Sequence, residues 1–194
     1  MGYSRKKKEL RKKQHKTSPF TGIRKQWGQK RPVIYFVLGF SVLIVLFYLV
    51  WTSDFYINQI QPHILVAYNG ISSSILNLFG METQTSGSVL FSSSFSIDIK
   101  RGCDGLEAMA LFASTLLVFP AKWRSKLIGF FSGIAILFIL NIVRIVSLFI
   151  TGIYYPKAFE FMHVEFWQAL FIFFAIALLI FWIRWSRKME SHVA

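Results

Sequence analysis

The stretch LIGFFSGIAILFILNIVRIVSLFIT, residues 127–151, is the part of this chain whose reading decides its fold, because its 25 residues carry a single charge, Arg144. A helix needs about 20 apolar residues to cross a hydrocarbon core of about 30 Å. This segment is long enough, and a basic residue inside it costs about 2.5 to 3.5 kcal/mol to insert, so Arg144 needs either a partner or a task. Residues 104–121, on its N-terminal side, are apolar apart from Asp104 and Glu107, and residues 164–183, on its C-terminal side, are charged only at Glu165. Farther upstream, residues 33–53 carry no charge at all. The sequence therefore predicts an all-α polytopic membrane protein with four transmembrane helices, at 33–53, 104–121, 127–151 and 164–183. The first run is too long for a signal-peptide core and ends in Trp51, Thr52, Ser53 and Asp54 rather than in a small-residue cleavage site, so it reads as an uncleaved span.

Composition agrees. Of 194 residues, 54% are hydrophobic and only 16% charged, against about 25% charged in soluble domains. The net charge of +13 would by itself invite a nucleic-acid partner. Its placement argues otherwise, since twelve of the 22 basic residues lie in residues 1–31. That tail suits anionic lipid, and no nucleic acid is needed to account for it. Residues 1–32 read as a basic cytoplasmic tail, 33–185 as the membrane domain and 186–194 as a C-terminal tail. Basic residues collect on the cytoplasmic side of short membrane segments. With the N-terminus inside, that side holds the tail, then Lys122, Arg124 and Lys126, then Arg184, Arg187 and Lys188, while Lys100, Arg101 and Lys157 lie outside. Both termini are thus expected in the cytoplasm of a cell whose plasma (inner) membrane holds the protein.

Between the first two spans, Ile57, Ile60, Ile64, Tyr68, Ile71, Ile75 and Leu78 recur at spacings of three and four. This predicts an extracytoplasmic amphipathic helix over residues 62–79, started by Pro62 and stopped by Gly80, lying on the membrane or capping the bundle. Phe95, Ile97 and Ile99 alternate with polar residues, which predicts a short strand before the second span. Residues 83–89, with Gly87, are its expected hairpin partner.

The predicted topology brings three chemically capable side chains to the outer face. Cys103 precedes the second span, Arg144 lies about 10 Å below the outer end of the third at Thr151, and His163 begins the fourth. Each has a structural reading as well. A lone cysteine is often an apolar filler, and Cys103 is the only one, which excludes an intramolecular disulfide. Lys100, Arg101 and a helix start favour its thiolate, whereas Asp104 and Glu107 oppose it. Asp104 and Glu107 have the spacing of a capping box. Arg144 shares a polar stripe with Asn141 and Ser147 and could bond a carboxylate such as Glu107; His163 could bond Glu160. No two histidines stand at metal-ligand spacing, so neither a metal nor a cofactor is expected. Together, Cys, His and Arg suit acyl transfer, with a thiolate nucleophile, an imidazole to move the proton and a cation for the oxyanion.

Arg101-Gly102-Cys103-Asp104-Gly105-Leu106-Glu107, Asn141-Ile142-Val143-Arg144-Ile145, and His163 followed by Phe166-Trp167-Gln168 resemble the three signature regions of the exosortase/archaeosortase family, over roughly residues 33–185. The wording is similar to that of short single-domain members such as the exosortase H type, although many members have Ser where this chain has Asp104. The resemblance implies a sortase-like cysteine transpeptidase or peptidase. Its substrates would be exported proteins ending in a short motif, a transmembrane helix and a basic cluster. Cys103 would be the nucleophile, Arg144 the oxyanion or carbonyl ligand and His163 the acid/base, with Asn141, Asp104, Glu107 and Arg101 supporting. A non-catalytic adaptor whose Arg144 pairs with a partner helix, and a small transporter using Arg144 as an anion site, are the competing readings.

Overall fold

The computed structural model describes residues 19–191, so most of the basic tail and the last three residues lie outside the described part. The chain divides into two units, residues 1–41 and 42–194. In the first, the described part is the beginning of helix α1 (Pro19–Trp51), with the rings of Phe36 and Phe40 stacked one turn apart. The second holds the end of α1 and everything that follows.

After a π-helical turn at Tyr56–Ile60 comes α2 (Gln61–Leu78), then β1 (Gln84–Ser86), β2 (Val89–Phe91) and β3 (Ser96–Asp98). Next are α3 (Leu106–Val118), α4 (Trp123–Tyr154), α5 (Pro156–Phe161), a second π-helical turn at Met162–Phe166, and α6 (Trp167–Ser191). Among the described residues three stretches are long and apolar enough to cross a membrane: Arg31–Trp51, Trp123–Tyr154 and Pro156–Met189. The second expected span departs from the prediction. Its helix, α3, has 13 residues, or about 20 Å. Gly105 and Pro120 bound it, the one by a left-handed φ of +72° and the other by ending helical geometry at Phe119.

Helix α3 runs antiparallel to α4 in a fixed register. A Cβ on Gly105 would meet Asn141, one on Gly133 would strike Phe112, and one on Gly129 would touch Leu116 and strike Trp182. The glycines of α4 are thus the holes that receive the aromatic rings of α3 and α6, and Trp182 also donates from its indole to the Ser125 carbonyl at 3.0 Å. Met109, Phe112, Leu116, Leu137, Leu148, Trp167, Phe171 and Trp182 form the buried core of this three-helix packing. Because α4 reaches Tyr154, Arg144 lies about 15 Å from its end rather than about 10 Å, and about 32 Å from its start.

Helix α2 forms nearly as predicted, but its buried face differs. Leu65, Tyr68, Asn69, Ser72, Ser73 and Leu76 are buried, whereas Ile71 is exposed and Leu78 is 86% exposed. The reason is hydrogen bonding to the sheet. Asn69 donates to the Gly87 carbonyl at 2.9 Å, Ser73 pairs with the Thr83 hydroxyl at 2.8 Å, and Asn77 accepts from the Thr83 amide at 2.8 Å. The polar side of the helix therefore faces the protein. Residues 83–89 meet the predicted strand only at their end, where Val89 pairs with Asp98 and the Ser88 carbonyl accepts from Ile99; the rest hold β1 and the turn at Gly87 (φ +59°) that begins β2. The sheet order is β1-β2-β3, all antiparallel, and β2 is the strand that pairs with β3. Leu90 and Ile99 join Tyr68, Ile145 and Phe149 in a second core cluster that fixes the sheet to α4.

Candidate functional site

Cys103 sits in the turn between β3 and α3. Its amide donates to the Lys100 carbonyl at 3.0 Å, and Gly102 beside it has φ +91°, a conformation that glycine adopts without steric cost. His163 lies in the π-helical turn at Met162–Phe166, a distortion that often re-aims side chains at functional sites. Its ring stacks on Phe159, with centroids 5.8 Å apart, and its Nε2 stands 3.3 Å from the Cys103 sulfur. Arg144, half-buried on α4, completes the group. Its guanidinium carbon lies 5.7 Å from the centre of the Phe171 ring, and its buried Nε has no hydrogen-bond partner among the described residues.

Cys103, Arg144 and His163 line one cavity of about 380 Å³. Its remaining walls are the run Phe95 to Lys100, and Ile145, Leu148 and Phe159. Burial pushes the Cys103 thiol above its ordinary range; the Arg144 guanidinium works against that and Asp104 adds to it. A second cavity, about 520 Å³, runs between α3 and α6 and shares Arg144 as a lining residue. Among the described residues no three His, Cys, Asp or Glu side chains cluster closely enough to hold a metal ion.

The four expected supporting residues separate into different surroundings. Asp104 is fully buried. One of its oxygens accepts from the Leu106 amide at 3.3 Å and the other has no hydrogen-bond partner among the described residues. The capping box does not form: Gly105 caps α3, and Glu107 instead accepts from the Tyr48 hydroxyl at 3.3 Å. Glu107 is therefore not bonded to Arg144. Arg101 turns away from the cavity to lie over Trp51, 5.0 Å from its ring centre. Asn141 is fully buried with its carboxamide against Gly105.

Sequence reasoning missed the hydrophobic wall of Phe95 and Phe159, whose rings pack together 5.7 Å apart. A signal was present in Gly152, the small residue on α4 against which Phe95 seats. No curated protein and no solved structure matches the chain. A family profile described as transmembrane exosortase, of the EpsH type, matches residues 32–183. That match covers well over half of the 194 residues, and all three signature regions fall inside it, so the chain belongs to the transmembrane exosortase family.

Proposed function

We propose that this protein is a membrane-embedded cysteine transpeptidase that cleaves the C-terminal sorting signal of exported proteins and transfers them to a cell-envelope acceptor. The observation that carries this reading is the 3.3 Å approach of the Cys103 sulfur to His163 Nε2 in a cavity that Arg144 also lines. Thiol, base and fixed cation at one cavity are what acyl transfer requires, and neither an adaptor nor a transporter has need of the thiol–imidazole pair.

In this account His163 takes the Cys103 proton, the thiolate attacks the scissile carbonyl, and Arg144 stabilises the oxyanion. His163 then protonates the departing amine, leaving a thioester on Cys103. An acceptor nucleophile attacks that thioester and regenerates the thiol. Asn141 and Asp104 position the turn carrying Cys103, while Glu107 and Arg101 tie that turn to the end of α1 through Tyr48 and Trp51.

Helix lengths support a particular membrane placement. If α4 enters the hydrocarbon near Trp123, Arg144 lies about 32 Å higher, at the outer boundary of a core about 30 Å thick. The last turns of α4 then project beyond the membrane with the sheet. Helix α3 crosses as a short fourth span, sheltered by α4 and α6 and completed by the connecting segments at its ends. The exposed apolar side of α2, with Val66, Ile71 and Leu78, rests on the outer leaflet. Both termini are cytoplasmic, the basic tail lies on anionic lipid of the inner membrane, and the catalytic cavity opens outward. A substrate anchored by its own helix brings its scissile bond to that depth.

The test is co-expression with an exported reporter that ends in a C-terminal segment taken from a protein encoded beside this one: a short motif, a membrane helix and a basic cluster. Cys103→Ala should abolish processing while the protein still inserts. Cleavage at the unsubstituted rate would overturn the reading.

A further inference from the structure

The two edges of the sheet are treated differently. Helix α2 holds the two ends of β1, since Asn69, Ser73 and Asn77 bond to the Gly87 carbonyl and to Thr83, while Gln84–Ser86 between them are exposed. The outer edge of β3 faces a cavity instead. Six consecutive residues, Phe95 to Lys100, line the cavity that also holds Cys103, Arg144 and His163. A cavity touched by residues of both alternations meets the backbone edge of a strand and not merely one face of it.

The phase of the ladder says which backbone groups face the cavity. The Ile99 amide donates to the Ser88 carbonyl at 2.9 Å, and the Phe95 carbonyl accepts from the Ser92 amide at 2.8 Å. Residues 95, 97 and 99 therefore direct their backbone groups toward β2. By the alternation of an antiparallel pair, the amides and carbonyls of Ser96 and Asp98 point the other way, toward the open edge. An exposed row of donors and acceptors recognises one thing above all, an extended polypeptide.

Resting on the transpeptidase reading above, we propose that the substrate binds as a fourth strand. An extended segment beside its scissile bond pairs with Ser96 and Asp98 along the free edge of β3. The turn that returns Cys103 to the Lys100 carbonyl then sets the nucleophile at the end of this strand. Backbone pairing supplies affinity whatever the side chains, and alternate side chains meet the Phe95 and Phe159 wall. A sorting motif read in this way is short, with its informative positions two residues apart.

The experiment uses the full chain made by cell-free synthesis into liposomes holding the reporter described above. Ser96→Pro removes one outward amide, and proline is tolerated on a strand edge where the amide is not part of the ladder. The expected result is about a tenfold fall in processing rate, the order of one lost backbone hydrogen bond, with Cys103 alkylation by iodoacetamide unchanged. Should alkylation also change, an ester at position 96, built with glyceric acid in place of Ser96, keeps the side chain, removes the N–H and leaves the Phe95 carbonyl in place as a somewhat weaker acceptor for Ser92. It should show a comparable fall, while an ester at Ser93, in the turn before β3, should not. Processing at the unsubstituted rate with the position-96 ester overturns the proposal, as does a Ser96–Ser96 contact between two copies, read as oxidative dimerisation of a Cys103→Ala, Ser96→Cys chain. Loss of processing in Cys103→Ala alongside a silent position-96 ester would refute strand addition alone. Persistence of cleavage in Cys103→Ala would refute the transpeptidase reading as well.

Discussion

Replacing His163 with alanine removes the imidazole that stands 3.3 Å from the Cys103 sulfur, and the consequence for the thiol can be worked out. Two unit charges at that distance attract by about 5 kcal/mol at an effective dielectric of 20 and by about 1.3 kcal/mol in water. The pair is half-buried, so about 2 to 3 kcal/mol of thiolate stabilisation is at stake. Burial already pushes Cys103 upward, so without an imidazole beside it to take the proton, its titration moves higher still and less thiolate is present at pH 7. A more basic thiolate is also a better nucleophile, with a slope of about 0.4 to 0.5, which returns part of the loss. The net expectation is an alkylation rate at pH 7 lower by about 5- to 15-fold, with the variant recovering as pH rises. Since Cys103 is the sole cysteine, timed iodoacetamide labelling followed by a maleimide gel shift reports it alone. Equal rates and equal pH midpoints in the two proteins would refute the thiolate–imidazolium pair.

Three further outcomes are expected. Arg144→Gln should insert normally, label more slowly because the cation that favours the thiolate is gone, and process the reporter about 10²- to 10³-fold more slowly, as for loss of an oxyanion ligand; an undiminished rate in a processing assay would remove Arg144 from the chemistry. Gly105→Ala forces a side chain into φ +72° with its Cβ 3.3 Å from Asn141. It should cost about 1 to 2 kcal/mol, seen as a lowered thermal midpoint in detergent. Gly133→Val drives a side chain into the Phe112 ring and should destabilise by about 1 to 3 kcal/mol, measured the same way.

Much of the site was legible in the sequence because charges in a membrane chain are rare and topology restricts where they go. Arg144 stood out as the only charge in its span, and counting basic residues placed Cys103 and His163 on the same side of the membrane. What could not be read depended on tertiary partners. The periodicity of Ile64, Ile71 and Leu78 located α2 correctly but not its buried face, since Asn69, Ser73 and Asn77 bond the hairpin and draw the polar side inward. Asp104 and Glu107 had capping-box spacing, yet Gly105 adopts the left-handed geometry and Tyr48 claims Glu107. The apolar run at 104–121 looked like a full span, while Gly105 and Pro120 cut its helix to 13 residues. The β3 edge left no sequence signal, because an unpaired edge is a property of what lies beside a strand.

The most direct test of the central claim is to trap the acyl-enzyme. The full chain and its reporter are held in one membrane, quenched in acid during turnover and digested for mass spectrometry. The account predicts a reporter-derived acyl group on Cys103 that hydroxylamine releases and that builds up when acceptor is limiting. Processing of the reporter with no acyl group ever found on Cys103 would contradict it.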